Sequence, residues 1–177
     1  MTVQRPARRR LRATAIPASA AMLVLSATGC AGLAPGMTPL GTDIASVRQG
    51  PFAPTGEYPL AGGGTRLEFA QGSFGKQTWM LDFDAAGRLV ANRQVLTEAN
   101  FATIAPGMPA QAVRMRLGHP AQVFNVPWQK IQVWNYRFAT GDCVWFQVSI
   151  GDVGQGRVTE ASLGSDPACD GAKTREG

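Results

Sequence analysis

The sequence predicts an α+β fold made of two related units, each with helices packed on an antiparallel three-stranded meander. Three observations carry this. The apolar period changes from helix-like to two at "IQVWNYRF" (131–138), so helices precede strands. Gly and Pro punctuate the chain into short elements, as at Gly118-His119-Pro120. Landmarks recur in one order: Gly36-Met37 and Gly107-Met108 stand 71 apart, "RLEFA" (66–70) and "NYRFA" (135–139) 69 apart, and Gly87-Arg88 and Gly156-Arg157 again 69 apart. The competing reading is one undivided domain, because short glycine-containing matches also arise by chance.

The first element is an export signal. The first twelve residues hold five arginines and no acid, and Ala13 to Thr28 is mostly apolar but broken by Pro17. A membrane-spanning helix needs roughly twenty apolar residues, whereas a basic head, a short apolar core and a small-residue junction mark a secretory signal. The junction "SATGC" (26–30) resembles the bacterial lipobox, which implies cleavage before Cys30 and acylation of that cysteine on sulfur and then on its amine. With no aspartate at Ala31 or Gly32, the resemblance to bacterial lipoproteins implies sorting to the outer membrane. The alternatives are an ordinary signal peptide with a chance cysteine, or a buried N-terminal helix. The predicted organisation is a lipoprotein signal peptide at 1–29, an anchor linker at 30–35, a first unit at 36–96, a second at 97–165 and a tail at 166–177.

Removing the signal changes the charge. The chain has 17 basic and 12 acidic residues, and five of the basic ones are arginines of the first twelve positions, so 12 face 12 from Cys30 onward. A neutral chain without a Lys/Arg run gives no electrostatic case for binding nucleic acid. Of three cysteines, assigning Cys30 to lipid leaves Cys143 and Cys169 as a possible disulfide. In an oxidising compartment such a bond, closing a loop of 26 residues, would stabilise the fold by about 3.5 kcal/mol. Two free thiols are the alternative.

In the first unit a short helix is expected around Asp43 to Gln49, and "GPFAPTGEYPLAGGG" (50–64) reads as a long loop. Leu67, Phe69, Leu81 and Phe83 then alternate with polar neighbours, and "DAAGRL" (84–89) turns into the last strand. In the second unit Thr97 is placed to cap a helix carrying Phe101 and Ile104, which must end before Pro106. Pro109 suits a helix start, Val113 and Leu117 stack four apart on its apolar face, Arg114 and Arg116 point outward, and Gly118 with Pro120 ends it. Strands come next at 131–138, 144–150 and 157–163, the last two joined by the turn "GDVGQG" (151–156).

The stretch 101–124, leading into "IQVWNYRF" and "VWFQVSI", resembles the SmpA/OmlA (BamE-like) family of small outer-membrane lipoproteins. The matching features are the lipobox, Ile104 to Met108, the Val113/Leu117 helix, the Gly-x-Pro stop and the Trp/Tyr strand. The match covers roughly 97–163 well and 33–95 faintly. It implies an ααβββ unit, a periplasm-facing outer-membrane lipoprotein, and a role accessory to β-barrel assembly. A tandem of such units resembles the arrangement of β-lactamase inhibitor proteins. The family's best-known member has one unit, so a doubled chain need not share its partners.

Candidate sites are few. His119 is the sole histidine; a general base would also need a nucleophile and an orienting carboxylate, so an incidental exposed side chain is the expectation. Asp82 and Asp84, two apart, are expected on a solvated face opposite Leu81 and Phe83. Gly62 to Gly64 lacks the Lys-Ser/Thr of a phosphate loop. No catalytic set, metal site or cofactor is expected. Among the aromatics, Trp134 and Tyr136 are read as core, and Trp128 and Trp145 as candidates for a partner surface. The leading expectation is a non-enzymatic, lipid-anchored protein that binds a periplasmic or outer-membrane protein. An inhibitor-like or peptidoglycan-associated module comes next and an envelope hydrolase third.

Overall fold

Consecutive hairpins dominate the architecture, since each strand pairs with its neighbour in sequence. The computed structural model describes residues 34–169. The expected signal peptide, Cys30 and its lipid, the linker up to residue 33, and the tail from residue 170 lie outside the described residues.

The first half holds α1 (Ile44–Arg48), β1 (Gly56–Pro59), β2 (Thr65–Ala70), β3 (Thr78–Phe83) and β4 (Leu89–Gln94). The second holds α2 (Glu98–Phe101), α3 (Ala110–Leu117), β5 (Gln122–Val126), β6 (Ile131–Arg137), β7 (Val144–Ile150) and β8 (Val158–Ser165). The strands form two antiparallel sheets, in the orders β1-β2-β3-β4 and β5-β6-β7-β8. The class is α+β, as expected, but each meander has four strands rather than three. The additional strand is an edge in both sheets. β1 arises inside the Gly/Pro-rich stretch expected to be a loop, where Pro59 is tolerated at the end of an edge strand. β5 comes after Pro120 and pairs with β6 alone. The first half also has one α-helix where the resemblance implied two; the Gly36-Met37 stretch forms a single 3-10 turn, Pro35–Met37.

Local signals account for the helices. The Asp43 carboxylate caps α1 by accepting from Ala45 N at 2.8 Å, and Thr97 caps α2 by accepting from Asn100 N at 3.3 Å. Gly118 ends α3 with φ of 79° and ψ of −161°, a conformation open to glycine.

Matching backbone staples join helix start to last strand in both halves. In the first, Gly41 N donates to Leu89 O, Leu89 N to Thr42 O and Ile44 N to Gly87 O. In the second, Gly107 N donates to Val158 O, Val158 N to Met108 O and Ala110 N to Gly156 O. Gly41 and Gly107 share a positive φ, 84° and 85°. The structural counterpart of Gly107 is therefore Gly41, and the Gly36-Met37 alignment is five residues out of register. A register shift falls at Asp82/Phe83 in one sheet and Ser149/Ile150 in the other, each just before the last turn.

Two cores result. Ile44 and Val47 of α1 pack on Leu67, Phe69, Leu81, Phe83 and Leu89. Ala110, Val113 and Leu117 of α3, with Phe101 and Ile104, pack on Trp134, Tyr136, Phe146, Val148 and Ile150. Arg114, expected to point outward, lies over the Trp134 ring at 4.7 Å. The other side of α3 meets the first sheet: Arg66 Nη1 donates to Met115 O at 2.7 Å, and a Cβ on Gly118 would come within 2.8 Å of Thr78 Cγ2. The layers thus run α1, first sheet, α3, second sheet.

Candidate functional site

Strand alternation gives each sheet a second face, away from its own core, and register makes the two faces comparable position by position. Leu67 opposite Leu81 corresponds to Trp134 opposite Val148. Hence Glu68 corresponds to Asn135, Asp82 to Ser149, Thr78 to Trp145, and Tyr58 to Phe124.

On the first sheet this face is charged and closed. Glu68 is fully buried and accepts from four groups: Thr55 Oγ1 at 2.7 Å, Tyr58 OH at 2.6 Å, His119 N at 3.0 Å and His119 Nδ1 at 2.9 Å. Burial, followed by the hydrogen bond to Glu68, raises the Tyr58 hydroxyl well above its usual pKa. Asp82 takes a two-pronged bond from Arg66, at 2.5 and 2.7 Å, and a further bond from Arg93. Two expectations change here. Asp82 is buried rather than solvated, because α3 covers the face that period-two polarity assigned to water; Asp84 alone is exposed, accepting from Ala86 N and Arg88 N in the turn. His119 is not incidental: its side chain is 40% exposed, but its Nδ1 is held by the buried carboxylate.

A carboxylate accepts only, so His119 donates through Nδ1 and Nε2 is left as its other ring nitrogen. That is the orienting half of a catalytic dyad. The Thr55 and Tyr58 hydroxyls, however, both donate to the same carboxylate, so the set satisfies a buried anion and ties α3 to the first sheet. No group of three or more His, Cys, Asp or Glu side chains fit for a metal occurs among the described residues.

The corresponding face of the second sheet is aromatic and incompletely bonded. Arg137 makes a two-pronged bond to Asp166, at 2.5 and 2.9 Å, and donates to Ser73 O. The bond between them raises Arg137 above and lowers Asp166 below their ordinary pKa values. The guanidinium lies 5.2 Å from the Trp145 ring and 5.3 Å from Phe74, and Phe124 meets Trp145 edge-on at 6.2 Å. Phe74 is 79% and Phe124 49% exposed. Trp145, expected to offer exposed aromatic area, is 2% exposed, packed among these groups. Its Nε1 and the Nδ2 of buried Asn135 have no hydrogen-bond partner among the described residues. Trp128 is 82% exposed on the 3-10 turn Pro127–Gln129 between β5 and β6. Trp134 and Tyr136 are buried core, as expected.

Cys143 is disulfide-bonded; the Cys169 side chain lies outside the described atoms. Sequence reasoning missed Glu68, Arg66, Arg137 and Phe74. Glu68 gives no local signal, since a charge between Leu67 and Phe69 follows the ordinary alternation of a half-buried strand.

No family model matches the chain, and no curated protein or solved structure matches it significantly.

Proposed function

We propose that the chain is a non-enzymatic, lipid-anchored outer-membrane protein that faces the periplasm and binds a protein through the second sheet. The supporting observation is the correspondence of faces. The first sheet uses this face to hold α3, and the second sheet carries aromatic and unpaired donor groups at the same positions. Phe74, Phe124 and Trp128 supply exposed aromatic area around it, and Trp, Tyr and Arg dominate interface hot spots. The resemblance to the SmpA/OmlA family, with the lipobox at Cys30, suggests a β-barrel assembly partner.

The test is crosslinking in the native cells with a tagged full chain, followed by mass spectrometry, for the wild type and Phe124→Asp. The reading requires one envelope protein to dominate the wild-type capture and to fall at least tenfold in the variant. Equal capture by both proteins would overturn the assignment to this face. Capture of barrel-assembly subunits extends the role to assembly, and capture of a single hydrolase makes the chain an inhibitor.

A further inference from the structure

A polar pocket of about 470 Å3 opens beside the seam, where the end of β4 leads into α2 and α3 comes alongside. Such a volume lies within the roughly 300–1,000 Å3 of sites that enclose a small molecule. Three arginines from three elements line it: Arg66 of β2, Arg93 of β4 and Arg116 of α3. Arg116 is held there by a bond from its Nη1 to Thr103 O, at 3.1 Å. Among the described residues the sole carboxylate bonded to these guanidiniums is Asp82, shared by Arg66 and Arg93. Glu98, at the exposed start of α2, does not line the pocket. A guanidinium is always charged, so three cations face one anion and the wall carries an excess of two positive charges.

The donors of this wall are also in excess. Arg66 is nearly closed off, with its side chain 16% exposed and bonds to both Asp82 oxygens and to Met115 O. Arg93 and Arg116 are exposed, and among the described residues each has one N–H engaged of the five that a guanidinium carries. Like charges held together repel, and an anion set between them removes that cost. A carboxylate brings one charge and two oxygens. A phosphate monoester brings about two charges near neutral pH and three free oxygens, enough for both forks. We propose that this pocket is a phosphate-binding site in which Arg93 and Arg116 hold the phosphate group of a monoester and Arg66, fixed on Asp82, keeps the floor positive. The bound group clamps α3 to the first sheet, because Arg93 belongs to that sheet and Arg116 to the helix. Thr97 and Asn100 give the esterified part polar, uncharged neighbours. The same chemistry is offered by a soluble phosphate ester and by a lipid headgroup that ends in a phosphate monoester. The site stands independently of the lipoprotein reading.

The experiment is calorimetric titration of the full chain, solubilised in a non-ionic detergent, with glycerol phosphate and with glycerate as its carboxylate counterpart. Glycerol phosphate should bind at one site, at least tenfold more tightly than glycerate. Arg116→Gln and Arg93→Gln should each weaken that binding at least tenfold, and Arg48→Gln, on α1 outside the pocket, should leave it unchanged. Arg116→Gln alters an exposed side chain with a single hydrogen bond, so it remains informative if Arg93→Gln disturbs Asp82. Phosphatidic acid in detergent micelles, with phosphatidylcholine micelles as control, separates the two sources. Tighter binding than glycerol phosphate assigns the site to a lipid headgroup, and weaker binding assigns it to a soluble ester. Failure of both phosphate probes to bind, equal binding of glycerate, or binding indifferent to Arg116→Gln overturns the inference.

Discussion

Glu68 and Asn135 occupy the same position in their sheets, yet the Glu68 carboxylate takes four hydrogen bonds and the Asn135 amide nitrogen makes none. Thr55 and Tyr58 supply two of these donors from within the first half, and the chain downstream of the sheet supplies the other two. Behind the first sheet come α3 and the His119 turn, which supply donors to the buried face. On the second sheet Trp145 is packed among Phe74, Phe124, Arg137 and Asp166, and none of these supplies an acceptor to the Asn135 amide nitrogen.

The sharpest way to break this comparison is at Asp82. Removing it by Asp82→Ala leaves Arg66 and Arg93 without their counter-ion and should cost about 3–5 kcal/mol in urea unfolding. Ser149→Ala, at the corresponding place, should cost under about 1 kcal/mol. Similar losses at the two sites would mean that α3 does not make the first face special.

A smaller effect is expected at His119. His119→Ala removes one of four donors to Glu68 and should cost about 1–3 kcal/mol. A double-mutant cycle with Glu68→Gln should show coupling between the two, whereas a free surface histidine would give none.

Acid should reveal the ion pair on the second sheet. Arg137 holds the Asp166 carboxyl below its usual pKa, so the stabilisation from this pair is complete above the unfolded value of about 3.9 and is lost as pH falls toward the folded one. Asp166→Asn should be less stable at pH 7 and show a flatter decline in melting temperature below about pH 4. A decline as steep as the wild type's would place the acid sensitivity away from the Arg137–Asp166 pair.

The least effect on stability is expected at Trp128, 82% exposed. Trp128→Ala should change unfolding by less than about 0.5 kcal/mol while weakening partner capture.

Much of the second half was legible because its signals are local. Thr97, Pro109, Gly118 and the Val113/Leu117 spacing each act within a turn or two, and the alternation of Trp134, Tyr136 and Phe138 marks one buried face. The charged seam was not legible. Asp82 and Glu68 obey the alternation that signals a water-facing side, and only the arrival of α3, some fifty residues later in the case of His119 and Glu68, turns that side inward. The two edge strands were hidden for the opposite reason: β1 is four residues long and sits among prolines and glycines. The repeat itself was visible in Gly87-Arg88 and Gly156-Arg157, but its helical register became clear only from the positive φ shared by Gly41 and Gly107.

Because every strand pairs with its immediate predecessor or successor, each sheet is assembled from local contacts, which favours rapid formation. The seam joins residues about fifty apart, as do the staples that tie each helix start to its last strand. In any state in which the first sheet has formed and α3 has not docked on it, Glu68, Arg66 and Asp82 face water, where a charge costs least.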